Sequence, residues 1–159
     1  MAGSAAGASP GNEVSLHISA PPERIYEIVT DVAGMGRLSP ECTGGRWLGD
    51  AVGPAVGARF KGTNKRGFAR WSTTNEVVEA DPGRAFSFKT LQSGYQWTYR
   101  LEPDGGGTLV TERRDPFRKR PAVAKLFTQV LLGGEDDHDA EMQEGMRATL
   151  DRLKTIAEA

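Results

Sequence analysis

The stretch YQWTYRLEPDGGGTLVTERR, running from Tyr95 to Arg114, decides the fold. Tyr95, Trp97, Tyr99 and Leu101 alternate with Gln96, Thr98, Arg100 and Glu102, the two-residue period of a strand with one apolar face and one wet face. Asp104 to Gly107 is a hairpin loop, and Thr108 to Arg114 returns as a second strand. The ring-bearing face points inward and the charged face outward.

Working back along the chain, the same period recurs. Arg84 to Leu91 is a strand with Phe86 and Phe88 inward and Ser87 and Lys89 outward. Asp81-Pro82-Gly83 separates it from a long strand, Phe68 to Glu79, that turns Trp71, Thr73, Asn75 and Val77 inward and Arg70, Ser72, Thr74 and Glu76 outward. A turn over Asn64 to Gly67 links this to Ala58–Thr63, with Phe60, Gly62 and Asn64 inward. Gly44 to Leu48 is a further strand, with Trp47 near a loop-rich edge. Val14, Leu16 and Ile18 alternate with Ser15, His17 and Ser19, the first strand. Pro21-Pro22-Glu23 then opens a helix, because proline is tolerated in a first turn and a carboxylate suits its positive end. Ile25, Ile28, Val29 and Val32 form its apolar face, and Gly34 and Gly36 end it.

Downstream of Pro116 the period becomes helical. Val123, Leu126, Phe127, Val130 and Leu131 form one apolar stripe, Gly133-Gly134 breaks it, and a final helix carries Met142, Met146, Leu150 and Leu153 on one face. The glycine pair would let the Val123–Leu131 helix swing as a lid. The expected architecture is α+β: a meander of antiparallel strands and a long C-terminal helix. It forms a single domain over 13–159, after a disordered leader at 1–12 made of small residues.

Composition narrows the function. The chain has 159 residues, enough for one domain with a substantial core. Twenty basic residues against 21 acidic ones, a net charge of −1, give no bulk attraction to nucleic acid or to anionic membranes. A single cysteine, Cys42, excludes an internal disulfide and a cysteine zinc cluster, and the thiol is expected to be an inert loop residue. No run is apolar enough for stable membrane insertion, and the leader lacks a signal peptide's basic and apolar regions, so a reducing cytoplasm is the expected compartment.

The element order resembles the START-like (SRPBCC) superfamily, the helix-grip fold of pollen allergens and polyketide cyclase/dehydrase-like proteins. Met35-Gly36-Arg37-Leu38-Ser39-Pro40-Glu41-Cys42, Trp47-Leu48-Gly49, Gly57-Ala58-Arg59-Phe60-Lys61-Gly62-Thr63-Asn64, Trp97-Thr98-Tyr99-Arg100-Leu101 and Gly107-Thr108-Leu109-Val110-Thr111-Glu112 look like motifs of actinobacterial members. The resemblance covers nearly everything after Asn12. It implies a curved sheet wrapped on the last helix, with space between them that side chains do not fill. It does not choose among lipid and pigment binders, cyclases, hormone receptors and proteins that sequester antibiotics.

Set in that frame, the candidate pocket residues are Phe60, Asn64, Trp71, Thr73, Asn75, Phe86, Phe88, Tyr95, Trp97, Tyr99, Met142 and Met146. Any single ring among them is a natural core side chain. Taken together they make an aromatic cavity with a few polar groups, which is what a ligand pocket requires. Asn64, Thr73 and Asn75 would orient a ligand's polar atoms. Glu112 is the candidate catalytic group. Val110, Glu112 and Arg114 share one face of the last strand, and Leu109, Thr111 and Arg113 the other. Alternation alone leaves open which face is inner; the resemblance implies the Val110 face. An inward Glu112 would be desolvated and suited to general acid or base work, whereas a structural Glu112 would pair with an arginine at the cavity rim.

Other constellations carry less chemistry. Glu135, Asp136, Asp137, His138 and Asp139 open the last helix, where the dipole favours carboxylates, and they lack metal-ligand geometry; no metal is expected. His17 faces solvent, and no Ser–His–acid or Cys–His set can be assembled. Gly105-Gly106-Gly107 is a hairpin loop without a following phosphate-binding Lys-Ser or Lys-Thr, and no cofactor is implied. Arg113, Arg114, Arg118, Lys119 and Arg120 could touch a membrane or an acidic carrier protein, but the simpler reading is a solvated turn and a helix packed on the pocket rim. The expectation is therefore a soluble binder of a hydrophobic small molecule, as a monomer or homodimer. The enzyme alternative is a polyketide cyclase/dehydrase, a second binding alternative is an antibiotic-sequestering resistance protein, and a third class is a partner-binding module.

Overall fold

A computed structural model describes residues 12–118 and 135–159, with 135–139 described by backbone alone. The expected lid helix over Val123–Leu131 and the Gly133-Gly134 break lie outside the described residues, as do residues 1–11 of the leader. Asn12, placed in the leader by composition, belongs to the domain: its carbonyl accepts from the Arg114 amide at 2.8 Å.

Among the described residues seven strands form one antiparallel sheet. They are β1 Glu13–Ile18, β2 Cys42–Trp47, β3 Arg59–Arg66, β4 Ala69–Asp81, β5 Ala85–Thr90, β6 Tyr95–Asp104 and β7 Gly107–Pro116, and they lie side by side in the order β1-β7-β6-β5-β4-β3-β2. From β2 to β7 this is the expected meander, while β1 crosses to pair with β7. The helices α1 Pro22–Val29 and α2 Glu135–Ala157 cover one side, with α2 packed against β1, β7 and α1. The α+β helix-grip architecture read from the element order is the one observed.

Bending comes from a bulge. Val77 pairs with Phe88 and Glu79 with Ser87, so Val78 is an extra residue on β4. An unpaired residue bends its strand and increases local twist. It also switches the inward positions of β4 from Val77 to Ala80, which pairs with Phe86.

Two expected boundaries move for local reasons, and one expected solvent-facing pair is buried. Helix α1 ends at Val29, before Gly34 and Gly36, because Thr30 and Asp31 bond to backbone there: Thr30 Oγ1 donates to the Tyr26 carbonyl at 2.7 Å, and the Asp31 carboxylate accepts from the Gly34 amide at 3.3 Å. A 3-10 helix, Val32–Arg37, follows. Strand β3 runs through Asn64 to Arg66, so the turn expected at Asn64 to Gly67 shrinks to Gly67-Phe68. Ser87 and Thr98 do sit on the convex face but are buried, not solvated: Ser87 Oγ lies 2.9 Å from Thr98 Oγ1 and accepts from Gln96 Nε2 at 2.9 Å. Two short hydroxyls that satisfy each other need no water.

The core fills the space between sheet and helices. Ile18, Ile25, Val29, Phe60, Phe86, Val110, Leu150 and Leu153 are all buried in one cluster, which Met146 completes from the middle of α2.

Candidate functional site

The strand registers place the candidate residues in rows across the concave face. One row runs Trp47–Phe60–Asn75–Thr90–Tyr95, the next Val77–Phe88–Trp97–Arg114, and the third Phe86–Tyr99–Glu112–Val14. Each row takes alternate residues of each strand, because side chains one position apart point to opposite faces. Trp47, Phe60, Phe88 and Phe86 form a continuous series of ring contacts, with centroids 5.5, 5.0 and 5.6 Å apart. Such edge-on and tilted pairs are the favoured geometry of aromatic packing. Trp47, expected at a loop-rich edge, thus belongs to the interior wall; its alternation was hidden by Gly44 and Gly45, which leave β2 with too few side chains to show a period.

The remaining candidates divide. Tyr99 and Met146 are buried, Phe88, Tyr95, Trp97, Asn64, Thr73 and Met142 are half-buried, and Trp71 is 40% exposed at the free end of the β3–β4 hairpin. Asn75 is buried and its amide is engaged within the sheet: Nδ2 donates to Thr73 Oγ1 at 3.2 Å and to the Phe60 carbonyl at 3.4 Å, and Oδ1 accepts from Thr90 Oγ1 at 2.7 Å. Thr90 was not singled out from the sequence; only the register shows that it meets Asn75.

Glu112 faces the interior. It lies on the Val110 face of β7 and is 3% exposed. The rim ion pair expected for a structural Glu112 does not form among the described residues. Instead Tyr99 Oη, directly opposite on β6, donates to Glu112 Oε1 at 3.3 Å, and Oε2 is buried without a hydrogen-bond partner among the described residues. Burial pushes the carboxyl up to about 8, partly countered by the Tyr99 hydrogen bond. Burial likewise holds the Tyr99 phenol well above its ordinary value, reinforced by the neighbouring Glu112. At neutral pH both groups are protonated, so the site presents a neutral carboxylic acid rather than a carboxylate.

Arg114, expected in a solvated basic run, turns inward, is 1% exposed, and places its guanidinium carbon 4.6 Å from the Tyr95 ring centroid while Nη2 donates to Asn12 Oδ1 at 3.2 Å. Arg113, one residue away, faces outward and pairs with Asp115 at 2.8 Å. The run is therefore split by strand alternation, and the signal for this was the shared face of Glu112 and Arg114. Cys42, expected in a loop, opens β2 opposite Asn64 and is half-buried, with burial raising its thiol. Among the described residues no group of three His, Cys, Asp or Glu side chains is placed to hold a metal. The side chains of Glu135–Asp139 lie outside those described. Two surface hollows lined by described residues, at the β2–β3 link and beside the Pro82-Gly83 turn, lie away from the concave face.

A curved sheet gripping a terminal helix, with rings on its inner face and a buried acid beside a tyrosine, defines a helix-grip protein of the small-molecule-binding class. The chain belongs to the family described as polyketide cyclase / dehydrase and lipid transport, whose family model matches residues 12–158. A comparison with curated proteins gives no match. Among solved structures, the chain is similar to the Polyketide_cyc-like protein Cgl2372 of Corynebacterium glutamicum, at 29% identity, TM-score 0.61, and 92% and 90% coverage of the two chains. It is similar in fold to the di-domain ARO/CYC StfQ of the steffimycin biosynthetic pathway, at 16% identity and TM-score 0.71, covering 92% of this chain and 49% of that one. The Aha1 dimer of Colwellia psychrerythraea shares the fold at 16% identity and TM-score 0.59, covering 92% and 95% of the two chains. No helix among the described residues is long and apolar enough to cross a membrane.

Proposed function

We propose that the concave face binds a hydrophobic, ring-containing or lipid-like metabolite, held by Phe88, Trp97 and Tyr95 over the packed rings of Phe60 and Phe86 and anchored by Glu112. The observation that carries this reading is the buried Oε2 of Glu112, a polar atom without a partner among the described residues on a wall rich in rings. Leaving such a group unsatisfied costs about 1–3 kcal/mol, which a ligand carbonyl accepting the carboxyl proton would recover. Asn64 and Thr73, half-buried on β3 and β4, suit a ligand's more polar end. The free, half-buried Cys42 thiol suits a reducing cytoplasm.

The test is a titration of carbonyl-bearing aromatic polyketides and fatty acids, read by tryptophan emission over a range of pH. Binding of a carbonyl ligand is expected to weaken as pH rises through about 8, where Glu112 ionises. Glu112→Gln, which keeps a donor but cannot ionise, is expected to bind without that pH dependence. Unchanged emission and unchanged melting temperature across the panel would reject the reading.

The protonated state of Glu112 also favours a second reading, a cyclase/dehydrase. A neutral carboxyl beside Tyr99 can protonate a departing hydroxyl of a bound polyketide, and the carboxylate so formed can take the adjacent C–H proton, so that water leaves, a C=C bond forms and the carboxyl is restored. Loss of water from such a substrate, seen by mass spectrometry with the protein and abolished in Glu112→Gln, would establish catalysis. Recovery of the ligand unaltered would leave a carrier or sequestering role.

A further inference from the structure

The hairpin joining β3 to β4 ends in Lys65-Arg66-Gly67-Phe68-Ala69-Arg70-Trp71. Arg66 pairs with Ala69, which leaves Gly67 and Phe68 as a two-residue turn. Gly67 has φ +59°, and no residue other than glycine has positive φ among those described, which is the pattern of a tight turn with glycine at its first central position. The backbone thereby holds Phe68 at the apex, where its side chain is 107% exposed relative to the reference residue. Trp71, 40% exposed, lies on the same hairpin.

The charged side chains of the hairpin end itself, Lys65, Arg66 and Arg70, are all positive, and the acidic groups beside it, Glu41 and Glu141, both face Arg66. Lys65 and Arg70 sit directly opposite each other across the strand ladder, and neither forms an ion pair among the described residues. Like charges in that position destabilise a strand pair, so the arrangement is relieved by an external anion. Arg66 is used differently: its guanidinium meets Glu141 of α2 at 2.6 Å, tying the hairpin to the helix and steadying the apex. The cationic patch is local, since the whole chain carries a net charge of −1. One exposed apolar side chain is ordinary on a protein surface. Two aromatics within four residues, one at a protruding apex and flanked by unpaired cations, match the preferences of a bilayer interface, where rings sit at the headgroup level and lysine and arginine meet lipid phosphates.

We propose that this hairpin tip docks the protein on an anionic lipid bilayer, with Phe68 entering the boundary between headgroups and acyl chains, Trp71 at the headgroup level, and Lys65 and Arg70 on lipid phosphates. A protruding apex favours a deformable bilayer over a protein partner, which would need a preformed pocket for Phe68. Because Trp71 lies on the inward face of β4, docking also brings that end of the concave face to the lipid surface. The docking itself does not depend on what the concave face binds.

The experiment is co-sedimentation of the full chain with vesicles of phosphatidylcholine alone and of phosphatidylcholine with phosphatidylglycerol, without added ligand. Binding is expected only to the anionic vesicles, to weaken with salt, and to fall roughly tenfold or more in Lys65→Glu/Arg70→Glu. Phe68→Ser is expected to weaken it further with an unchanged melting temperature, since the ring makes no packing contact to lose. Phe68→Trp is expected to show blue-shifted emission on the anionic vesicles. Equal affinity for neutral vesicles, no affinity for either, or full binding by the folded variants would each overturn the proposal. Capture of an acidic protein in place of vesicles would also overturn it.

Discussion

Glu112 carries the pH behaviour of the folded state. Its carboxyl titrates near 4.5 when solvated and about 8 in the fold, so between those values the folded chain binds more protons than the unfolded one. Stability from this group is complete below pH 4.5 and is lost as pH rises through 8, by on the order of 5 kcal/mol at the limit. Glu112→Gln is expected to remove this decline, so that the variant gains on the wild type as pH rises; parallel denaturant curves at several pH values measure it. A wild-type stability that does not fall relative to the variant would mean that Glu112 is solvated. Packing at single residues is tested by two rings. Phe86 is fully buried and Trp97 half-buried. Phe86→Ala is expected to cost about 3–5 kcal/mol, and Trp97→Ala clearly less, because a ring that does not fill its site leaves less cavity behind. If the two cost the same in chemical denaturation, Trp97 is ordinary core and its role as a pocket wall fails. At this scale sequence reading was limited by β7 itself. Both of its faces carry arginine, so charge could not phase it, and the inward turn of Arg114 beside Glu112 waited for the register with β6.

Among the elements, the 3-10 helix packs closely against β2. A Cβ on Gly45 would stand 2.8 Å from the Val32 carbonyl oxygen and 3.0 Å from that of Lys61, both backbone atoms that cannot swing aside. Gly45→Ala is expected to destabilise by about 1–3 kcal/mol through overpacking, read as a lowered denaturation midpoint with an unchanged slope. An unaltered midpoint would show that the 3-10 helix is free to lift away from the strand. The same contact explains why β2 was the hardest strand to phase: its glycines serve close approach, not alternation. By contrast β6 showed its period openly, as three rings alternating with polar residues. The β4 bulge had no signal, since Val77 and Val78 are equally apolar and only pairing with β5 shows which one is extra.

At the scale of the molecule, sheet and helix enclose a face whose polar centre is a protonated acid. A ligand that fits it should act on the whole domain by mass action. At a free concentration about one hundred times its dissociation constant, stability should rise by about 2.7 kcal/mol, seen as a higher melting temperature that scales with ligand concentration. A ligand that shifts tryptophan emission without moving the melting point at saturating concentration is not bound selectively to the folded domain. The sequence by itself determined the α+β class, the antiparallel meander, the last helix and the ring-bearing faces of β3, β5 and β6. These follow from periods of two and 3.6 residues, which are local properties of the backbone. Only the tertiary structure decided that β1 closes against β7, that Trp47 and Arg114 join the interior, that the Asn75 amide is engaged within the sheet, and that Tyr99 rather than an arginine meets Glu112. Each of these depends on which residue of a distant strand lies opposite, a choice made by register and curvature that no local pattern encodes.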